Sequence, residues 1–252
     1  MCCFSREVRS VSATRIFARH LPDARQALVY SMTLDAPTEV AMILPIPVAQ
    51  GTKEDAVKFV DLSGYARFLD DVEGCFPPQV ELRRFSTGPS PGAAAPPPPL
   101  RVVEVGSFRA SFVPTVADFG RLDPQFRLPA DVWAKVGQYD RYGFAVFKLK
   151  QGNQKIHPMA FEFPTAMPGK LFFPTVHIHD GKVHPKAEFD HVLFCQGRMA
   201  RGASHNWDES ARLAGFLVKV GLAKGLVAGD QHLYRRRIIG ELENRDVLLA
   251  VA

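Results

Sequence analysis

Runs of residues typical of β-strands dominate this sequence, and they do not alternate regularly with helical patterns. Three of them follow one another within the first 48 residues, at 8–19, 26–34 and 39–48, and are rich in valine, isoleucine, threonine and aromatic side chains. Pro22-Asp23-Ala24 and Asp35-Ala36-Pro37 provide turn residues between them. Without a βαβ alternation, the pattern predicts a mostly antiparallel sheet.

Helical patterns interrupt the strands at three places. In residues 64–76 the apolar side chains recur at helical spacing, with acidic residues on the other side. Residues 129–139 begin with a proline suited to a first helical turn, and 207–224 follow Asn206 and Glu209 in capping-box spacing. We therefore predict an α+β fold, mostly antiparallel β-sheet, with about three helices near 64–76, 129–139 and 207–224.

A tract rich in proline and alanine, Ser86 to Pro99, divides the chain. Such a composition cannot build a packed core, so residues 87–100 are predicted to form a flexible loop or linker. One interpretation has a β-rich N-terminal part with one helix at 1–86 and a C-terminal α+β part at 101–252. The other has a single domain with residues 87–100 as an insertion.

Composition and charge exclude several classes of protein. No stretch approaches the roughly 18 apolar residues of a membrane span, and the first residues lack the apolar run of a signal peptide. The cytoplasm is therefore the expected location. Residues 101–252 carry twenty-one Lys and Arg against fifteen Asp and Glu. Their only dense basic run, Arg235-Arg236-Arg237, has no interleaved aromatic residues for stacking bases, so a nucleic-acid partner is not favoured.

Three motifs together resemble a family of uncharacterised, often secreted bacterial proteins. They are Cys2-Cys3-Phe4 near the N-terminus, the strand end Leu44-Pro45-Ile46-Pro47, and a block from Tyr139-Asp140-Arg141-Tyr142-Gly143 to Phe163-Pro164 and Phe172-Phe173-Pro174. The resemblance covers about half of the chain, which departs from the family in its histidine content and in lacking a signal peptide. It implies a shared architecture and no activity.

The segment from His177 to His184 is the part of the sequence richest in histidine, with the spacing H-x-H-D-G-x-x-H. Asp-Gly between β-type residues favours a two-residue hairpin turn, because glycine adopts the positive φ that the turn requires. With Asp180-Gly181 as the turn, His177 faces His184 across the two strands. His179 then lies on the same side, by the period of two along a strand.

Three imidazoles on one face suit a divalent transition metal, namely Zn, Fe, Cu or Ni. Glu188 and His191 are the candidates to complete or support the ligand shell, with Asp190 and Cys195 also close in sequence. Asp180 or Asp190 could orient an imidazole through its second nitrogen. The alternative is a surface hairpin whose histidines are solvated, or a one-residue register slip that sends His184 to the opposite face.

Cys2 is a second candidate site, as a catalytic nucleophile. Removal of Met1 would leave a free α-amine beside the Cys2 thiol, an arrangement that resembles the N-terminal nucleophile amidohydrolases. A low thiol pKa would be needed for reactivity, and two ordinary cysteines at a frayed chain end are the alternative.

The sequence thus leads to three hypotheses for function. The first is a metal-binding cytoplasmic protein that uses the histidine hairpin, with catalysis by that metal left open. The others are an N-terminal-cysteine amidohydrolase that uses Cys2, and a non-catalytic binding or scaffold domain. None of the three identifies a small-molecule or peptide substrate, or an oligomeric state.

Overall fold

The structure is a computed structural model that describes residues 2–77, 100, 102–106, 108–124, 127–128, 137–179 and 182–252. Its strands are β1 (Cys2–Phe4), β2 (Ser10–Leu21), β3 (Arg25–Ala36), β4 (Val40–Ile46), β5 (Lys58–Val60), β6 (Val103–Val105), β7 (Phe108–Val113), β8 (Gly143–Leu149), β9 (Gly152–Lys155), β10 (Met159–Pro164), β11 (Lys170–Phe173), β12 (His177–Ile178), β13 (Lys186–Gln196), β14 (Asp208–Glu209), β15 (Tyr234–Glu243) and β16 (Val247–Ala250). The helix α1 spans Phe68–Gly74, and single 3-10 turns lie at Ser63–Tyr65, Val116–Arg121, Gly137–Tyr139 and Ala214–Phe216.

Two large sheets organise the described residues. The smaller has the strand order β12-β1-β4-β8-β7-β6. The larger has the order β14-β15-β13-β2-β3-β10-β5, with β9 also paired to β3, and a two-stranded sheet joins β11 to β16. Most pairs are antiparallel, but β1 pairs with β12 and β2 pairs with β13 in parallel register. Both large sheets take strands from before and after residues 87–100.

The main core lies where the two large sheets face each other. Phe147 of β8 packs there against Phe161 of β10, and Leu193 of β13 lies in the same cluster. A second cluster joins α1 to the outer face of the larger sheet, and a third covers the outer face of the smaller one. The strand β4 is buried along its whole length, which explains its unbroken apolar run, since both of its faces are covered.

The prediction of a β-rich chain is confirmed, whereas the prediction of about three helices is wrong. The three strand runs at the start of the chain form β2, β3 and β4, and β2 pairs antiparallel with β3. Only the first predicted helix, 64–76, is present as a helix among the described residues, shortened to α1. Residues 129–136 of the second lie outside them, and 137–139 form a 3-10 turn.

The third predicted helix, 207–224, is replaced by turns and two short elements, β14 and the 3-10 turn Ala214–Phe216. Two backbone donors in the middle of this segment bond to residues further along the chain. Ala214 N–H donates to Gln231 O and Gly215 N–H to Gly229 O, both at 2.9 Å. Short-range bonds such as Val218 N–H to Ala214 O remain, but these tertiary hydrogen bonds interrupt the continuous helix that the apolar spacing and capping residues favoured.

Among the described residues, no helix is long and apolar enough to cross a membrane.

Candidate functional site

The short strand β12 brings the histidine segment next to the start of the chain. Its register with β1 places Cys2 beside His177 and Cys3 beside Ile178. The two candidate sites of the sequence, the N-terminal cysteine and the histidine cluster, are thus neighbours in one sheet. Of Cys2 the structure describes the backbone, and Met1 lies outside the described residues.

The turn between β15 and β16 holds β12 in place. Asn244 accepts a hydrogen bond from His177 N–H at 2.7 Å and donates to His177 O at 2.9 Å, as a neighbouring strand would. It also donates to His184 O at 2.9 Å. One asparagine side chain therefore fixes the backbone on both sides of the 180–181 segment.

Asp246 secures the residues before β12. Its Oδ1 accepts hydrogen bonds from Thr175 N–H at 2.8 Å and Val176 N–H at 3.1 Å, while its Oδ2 accepts from the Tyr139 hydroxyl. Burial and the neighbouring Asp246 carboxylate raise the pKa of Tyr139, which therefore stays protonated and remains a donor. Sequence reasoning missed both Asn244 and Asp246, although Asn-Arg-Asp between two strand patterns marks a turn.

The imidazoles of His177, His179 and His191 lie together near the turn between β15 and β16. His177 Nε2 lies 3.1 Å from His191 Nε2, and the His179 ring stacks on that of His177 with centroids 4.7 Å apart. Phe189 of β13 stacks on His177 at 4.5 Å and meets His191 edge-on at 5.3 Å, and Phe4 meets His179 edge-on at 5.6 Å. The cluster is thus enclosed by aromatic rings from both large sheets.

Burial keeps two of these imidazoles neutral. Desolvation is the main cause that lowers the pKa of His177 to about 2, with further lowering by His191, His179 and the positive charge of the amino terminus. Desolvation also lowers the pKa of His191 to about 3, assisted by the amino terminus and His179. A neutral imidazole has one nitrogen without a proton, so each ring can accept a hydrogen bond or bind a metal.

His191 is the deepest of the three, with 1% of its surface exposed. Its Nδ1 is buried without a hydrogen-bond partner, and the closest carboxylate oxygen recorded for it is Asp190 Oδ1 at 3.8 Å. The other Asp190 oxygen accepts a hydrogen bond from Ala13 N–H, at a bulge in β2 where Ala13 has φ of 51°. Asp190 is therefore held close to His191 by the neighbouring strand.

Two of the predicted metal ligands lie outside the cluster. The expected pairing of His177 with His184 is not formed, because β12 pairs with β1, and His184 lies exposed outside the strands. Glu188 is exposed opposite Glu241, on the other face of β13 from His191, since residues an odd number apart point to opposite faces. The predicted turn Asp180-Gly181 lies outside the described residues.

The structure brings together His177, His179 and His191. Within the described ranges, no three His, Cys, Asp or Glu side chains are arranged to hold a metal ion as they stand. The alternation of Phe189, His191 and Leu193 along β13 is the sequence signal that could have selected His191 over His184. Cys195 lies further along the same strand in the core, and burial raises the pKa of its thiol, which makes it an inert packing residue.

A cavity of about 730 Å³ lies elsewhere, between residues 211–216 and 229–232. Arg212, Phe216 and His232 line it, and the Arg212 guanidinium lies 3.9 Å from the centre of the Phe216 ring. None of His177, His179 and His191 lines this cavity.

Comparison with known proteins gives a likeness at the level of the fold. No protein-family model matches the chain, and no curated protein matches it. The crystal structure of baculovirus P35 is similar, with a TM-score of 0.52, 12% identity and 99% of each chain covered. A mutated P35 after caspase cleavage has a TM-score of 0.48 at 12% identity, with 96% of this chain and 100% of that chain covered. P35 in complex with caspase-8 has a TM-score of 0.45 at 11% identity, with 95% and 96% covered.

Proposed function

We propose that this chain is a non-catalytic binding protein whose partner is a cysteine protease of the caspase class. The observation that carries the proposal is the likeness to baculovirus P35, which extends over 99% of both chains at a TM-score of 0.52. P35 has itself been crystallised with caspase-8. A shared fold does not by itself fix a function, because function lies in particular sites. The proposal therefore depends on a direct binding experiment.

End-to-end coverage makes the likeness more useful than a shared motif would be. A β-sandwich core recurs in many unrelated proteins, whereas here the likeness covers 99% of this chain and 99% of P35. This extent supports a shared fold over the whole chain, and we take from it a role in binding a macromolecule. It agrees with the third hypothesis from the sequence, a binding domain in which catalysis plays no part.

The test uses the full chain and a panel of purified, active caspases. Inhibition of peptide hydrolysis, co-elution in size-exclusion chromatography and the intact mass of the chain after incubation are measured together. We expect at least one caspase to lose activity in proportion to the added chain and to co-elute with it. A non-caspase cysteine protease such as papain is the control, and its activity is expected to stay unchanged.

Two results would overturn this proposal. One is full activity of every caspase in the panel at a large excess of the chain, with no co-elution. The other is cleavage of the chain without loss of protease activity, which would make it a substrate and not an inhibitor.

A thiol nucleophile at Cys2 is the second candidate function, favoured by the register that places Cys2 beside His177. In such a site the α-amine freed by removal of Met1 would be the base for the thiol, because burial lowers the pKa of His177 to about 2 and makes its imidazole a weak base. Intact mass tells whether Met1 is removed, and the rate of alkylation by iodoacetamide, followed site by site, compares Cys2 with a cysteine in an unfolded peptide. A retained Met1 excludes an α-amine at Cys2, and a Cys2 rate at or below that of the peptide contradicts an activated thiol.

The cytoplasmic location stays a proposal based on composition, and so does the resemblance to bacterial proteins with an N-terminal cysteine motif. Fractionation of cells that express the untagged chain from its natural start would test the location.

A further inference from the structure

The cluster of His177, His179 and His191 has features that the protease-binding proposal does not use. His177 lies on β12 of the smaller sheet, His179 directly follows that strand, and His191 lies on β13 of the larger sheet. Burying three imidazoles together costs desolvation free energy, which an apolar side chain at position 191 would avoid. An ion bound by these nitrogens would account for three imidazoles in one place.

We propose that His177 and His191 bind a divalent transition-metal ion through their Nε2 atoms, with His179 as the third ligand. In a tetrahedral zinc site the Zn–N bonds of about 2.0–2.1 Å place two nitrogens about 3.3 Å apart. The observed separation of His177 Nε2 and His191 Nε2 is 3.1 Å. The two rings are therefore aimed at a common point at nearly the separation that an ion between them would require.

A hydrogen bond between the two rings would give a similar distance, so binding of a metal ion has to be measured to distinguish the two arrangements. In an N–H···N pair, one ring uses its proton at Nε2 and the other keeps its proton at Nδ1. When His191 donates, its Nδ1 has no proton and is left buried without a partner, which costs about 1–3 kcal/mol. When His177 donates, His191 keeps its proton on Nδ1, as it would with a metal ion bound at Nε2. Metal binding at Nε2 places the proton on Nδ1 of both rings, facing Asp190 Oδ1 at 3.8 Å in the case of His191.

Asp190 would act as a positioning residue in this site. A histidine that binds a metal usually donates its other N–H to a carboxylate or a carbonyl, which fixes the ring and makes it a better ligand. Asp190 is kept in place by Ala13 N–H and needs to move by less than 1 Å to accept a hydrogen bond from His191 Nδ1.

His179 completes the set after a rotation of its side chain. Its ring now stacks on that of His177 at an interplanar angle of 21°, so its nitrogens do not point to the space between His177 and His191. His177 and His179 are partly exposed while His191 is buried, which leaves an entry path for an ion from the side of β12. A water molecule can take the fourth position, as in other three-histidine sites.

The test is titration of Zn²⁺ into the untagged, chelator-treated chain, followed by calorimetry and by competition with a chromophoric chelator. We expect one ion per chain. His177→Gln and His191→Gln should each weaken binding by a factor of about one hundred, and His179→Ala by about ten. Cobalt gives a second readout, since a tetrahedral Co²⁺ site absorbs strongly in the visible range and an adventitious surface site does not.

His184→Ala is the matched control, because His184 lies in the same sequence motif and is exposed outside the cluster. Its affinity for Zn²⁺ should equal that of the wild type. Asp190→Asn should weaken binding about tenfold with no change in the thermal midpoint of the metal-free chain, which a merely structural role would lower.

The proposal is wrong if the wild type binds no Zn²⁺, or if His191→Gln binds it as tightly as the wild type. Loss of binding in His184→Ala with binding retained in His191→Gln would also overturn it in favour of the hairpin site that the sequence predicted. Circular dichroism of each variant identifies those that fail to fold. Should His191→Gln not fold, His177→Gln decides the question alone, since its side chain lies nearer the surface.

Discussion

At position 191 an imidazole lies in the core between two sheets, with a carboxylate beside it and a second imidazole against its Nε2. A charged imidazolium at this position would have to be desolvated beside Phe189 and His177. The pKa of His191 is therefore lowered to about 3, and that of His177 to about 2, each from an ordinary value of 6.5. These shifts link the protonation of two residues to the stability of the whole chain.

We expect the metal-free chain to lose stability as the pH falls below about 6.5. In the unfolded chain both histidines take up protons near that pH, whereas in the folded chain they stay neutral until about pH 3, so acid favours the unfolded state. The stabilisation is complete above pH 6.5. Between pH 7 and pH 5 the loss is at most about 2 kcal/mol for each histidine. Urea denaturation at several pH values, in the presence of a chelator, measures it.

The variant His191→Gln tests the cause of this pH dependence. It should reduce the loss of unfolding free energy between pH 7 and pH 5 by about half. Replacement of the exposed His205 should leave that loss unchanged. The neighbouring groups that act on the pair are His179, Asp190 and the amino terminus, and all three are present in both variants. An equally steep loss in His191→Gln would mean that other groups titrate.

At the scale of elements, short strands in this protein depend on side chains that take the place of a neighbouring strand. The two-residue strand β12 pairs with β1 on one side and is bonded by Asn244 on the other. Similarly, the Gln26 side chain donates a hydrogen bond to Phe172 O of β11 at 2.7 Å and accepts one from Phe172 N–H at 3.1 Å. Such amide side chains satisfy backbone groups that would otherwise be buried without partners.

Replacing Asn244 by alanine should loosen β12. The change removes three hydrogen bonds, to His177 N–H, His177 O and His184 O, at a cost of about 2–3 kcal/mol in the free energy of unfolding. Hydrogen exchange followed by mass spectrometry should show faster exchange in peptides that cover 175–179 than in those that cover β13. The exposed Asn153→Ala in β9 is the control, and comparable effects of the two changes would contradict the role given to Asn244.

A second prediction concerns residues 207–224, for which the sequence predicts a helix. A Cβ at Gly215 would lie 2.9 Å from Gly229 O and 3.1 Å from Gly229 Cα, both backbone atoms that cannot rotate away. Gly215→Ala should therefore lower the free energy of unfolding by about 1–3 kcal/mol. Gly221→Ala, in the same segment, meets nothing within 4 Å and should change it by less than about 0.5 kcal/mol. Denaturant titration compares the two, and equal midpoints would contradict the close approach.

At the scale of the whole molecule, the strands on the two sides of residues 87–100 are interleaved. In the smaller sheet β4 lies between β1 and β8, and in the larger sheet β3 lies between β2 and β10. The main core takes side chains from both sheets, so neither side of the segment has a core of its own among the described residues. The single-domain interpretation with an insertion accounts for this arrangement better than two separate parts.

We therefore expect residues 1–86 and 101–252 to be unfolded when each is expressed alone. Each fragment would expose the open edges of strands and the apolar faces that the other covers, which favours aggregation over folding. Mixing the two denatured fragments and removing the denaturant should recover the far-ultraviolet circular dichroism of the intact chain. A cooperative thermal transition in either fragment by itself would show an independent domain instead.

Local patterns were enough to find most of the strands and the region of the chain that holds the imidazole cluster. The runs that became β2, β3 and β4 were visible because alternation and β-branched residues are properties of neighbouring residues. The same holds for α1, whose apolar residues repeat within a few turns. The apolar spacing in 207–224 was misleading because Ser210, Ala214 and Gly215 donate their N–H groups to residues 229–233, and no local pattern records those partners.

For the candidate site, the sequence alone determined that imidazoles concentrate between residues 157 and 205 and that Cys2 stands near the start of the chain. Only the tertiary structure decided that β12 pairs with β1, that His191 and not His184 meets His177, and that Asn244 holds the strand. The reason is physical. The alternation of side chains along one strand depends on neighbouring residues, whereas the choice and register of a partner strand depend on the burial of faces contributed by residues far apart in the chain.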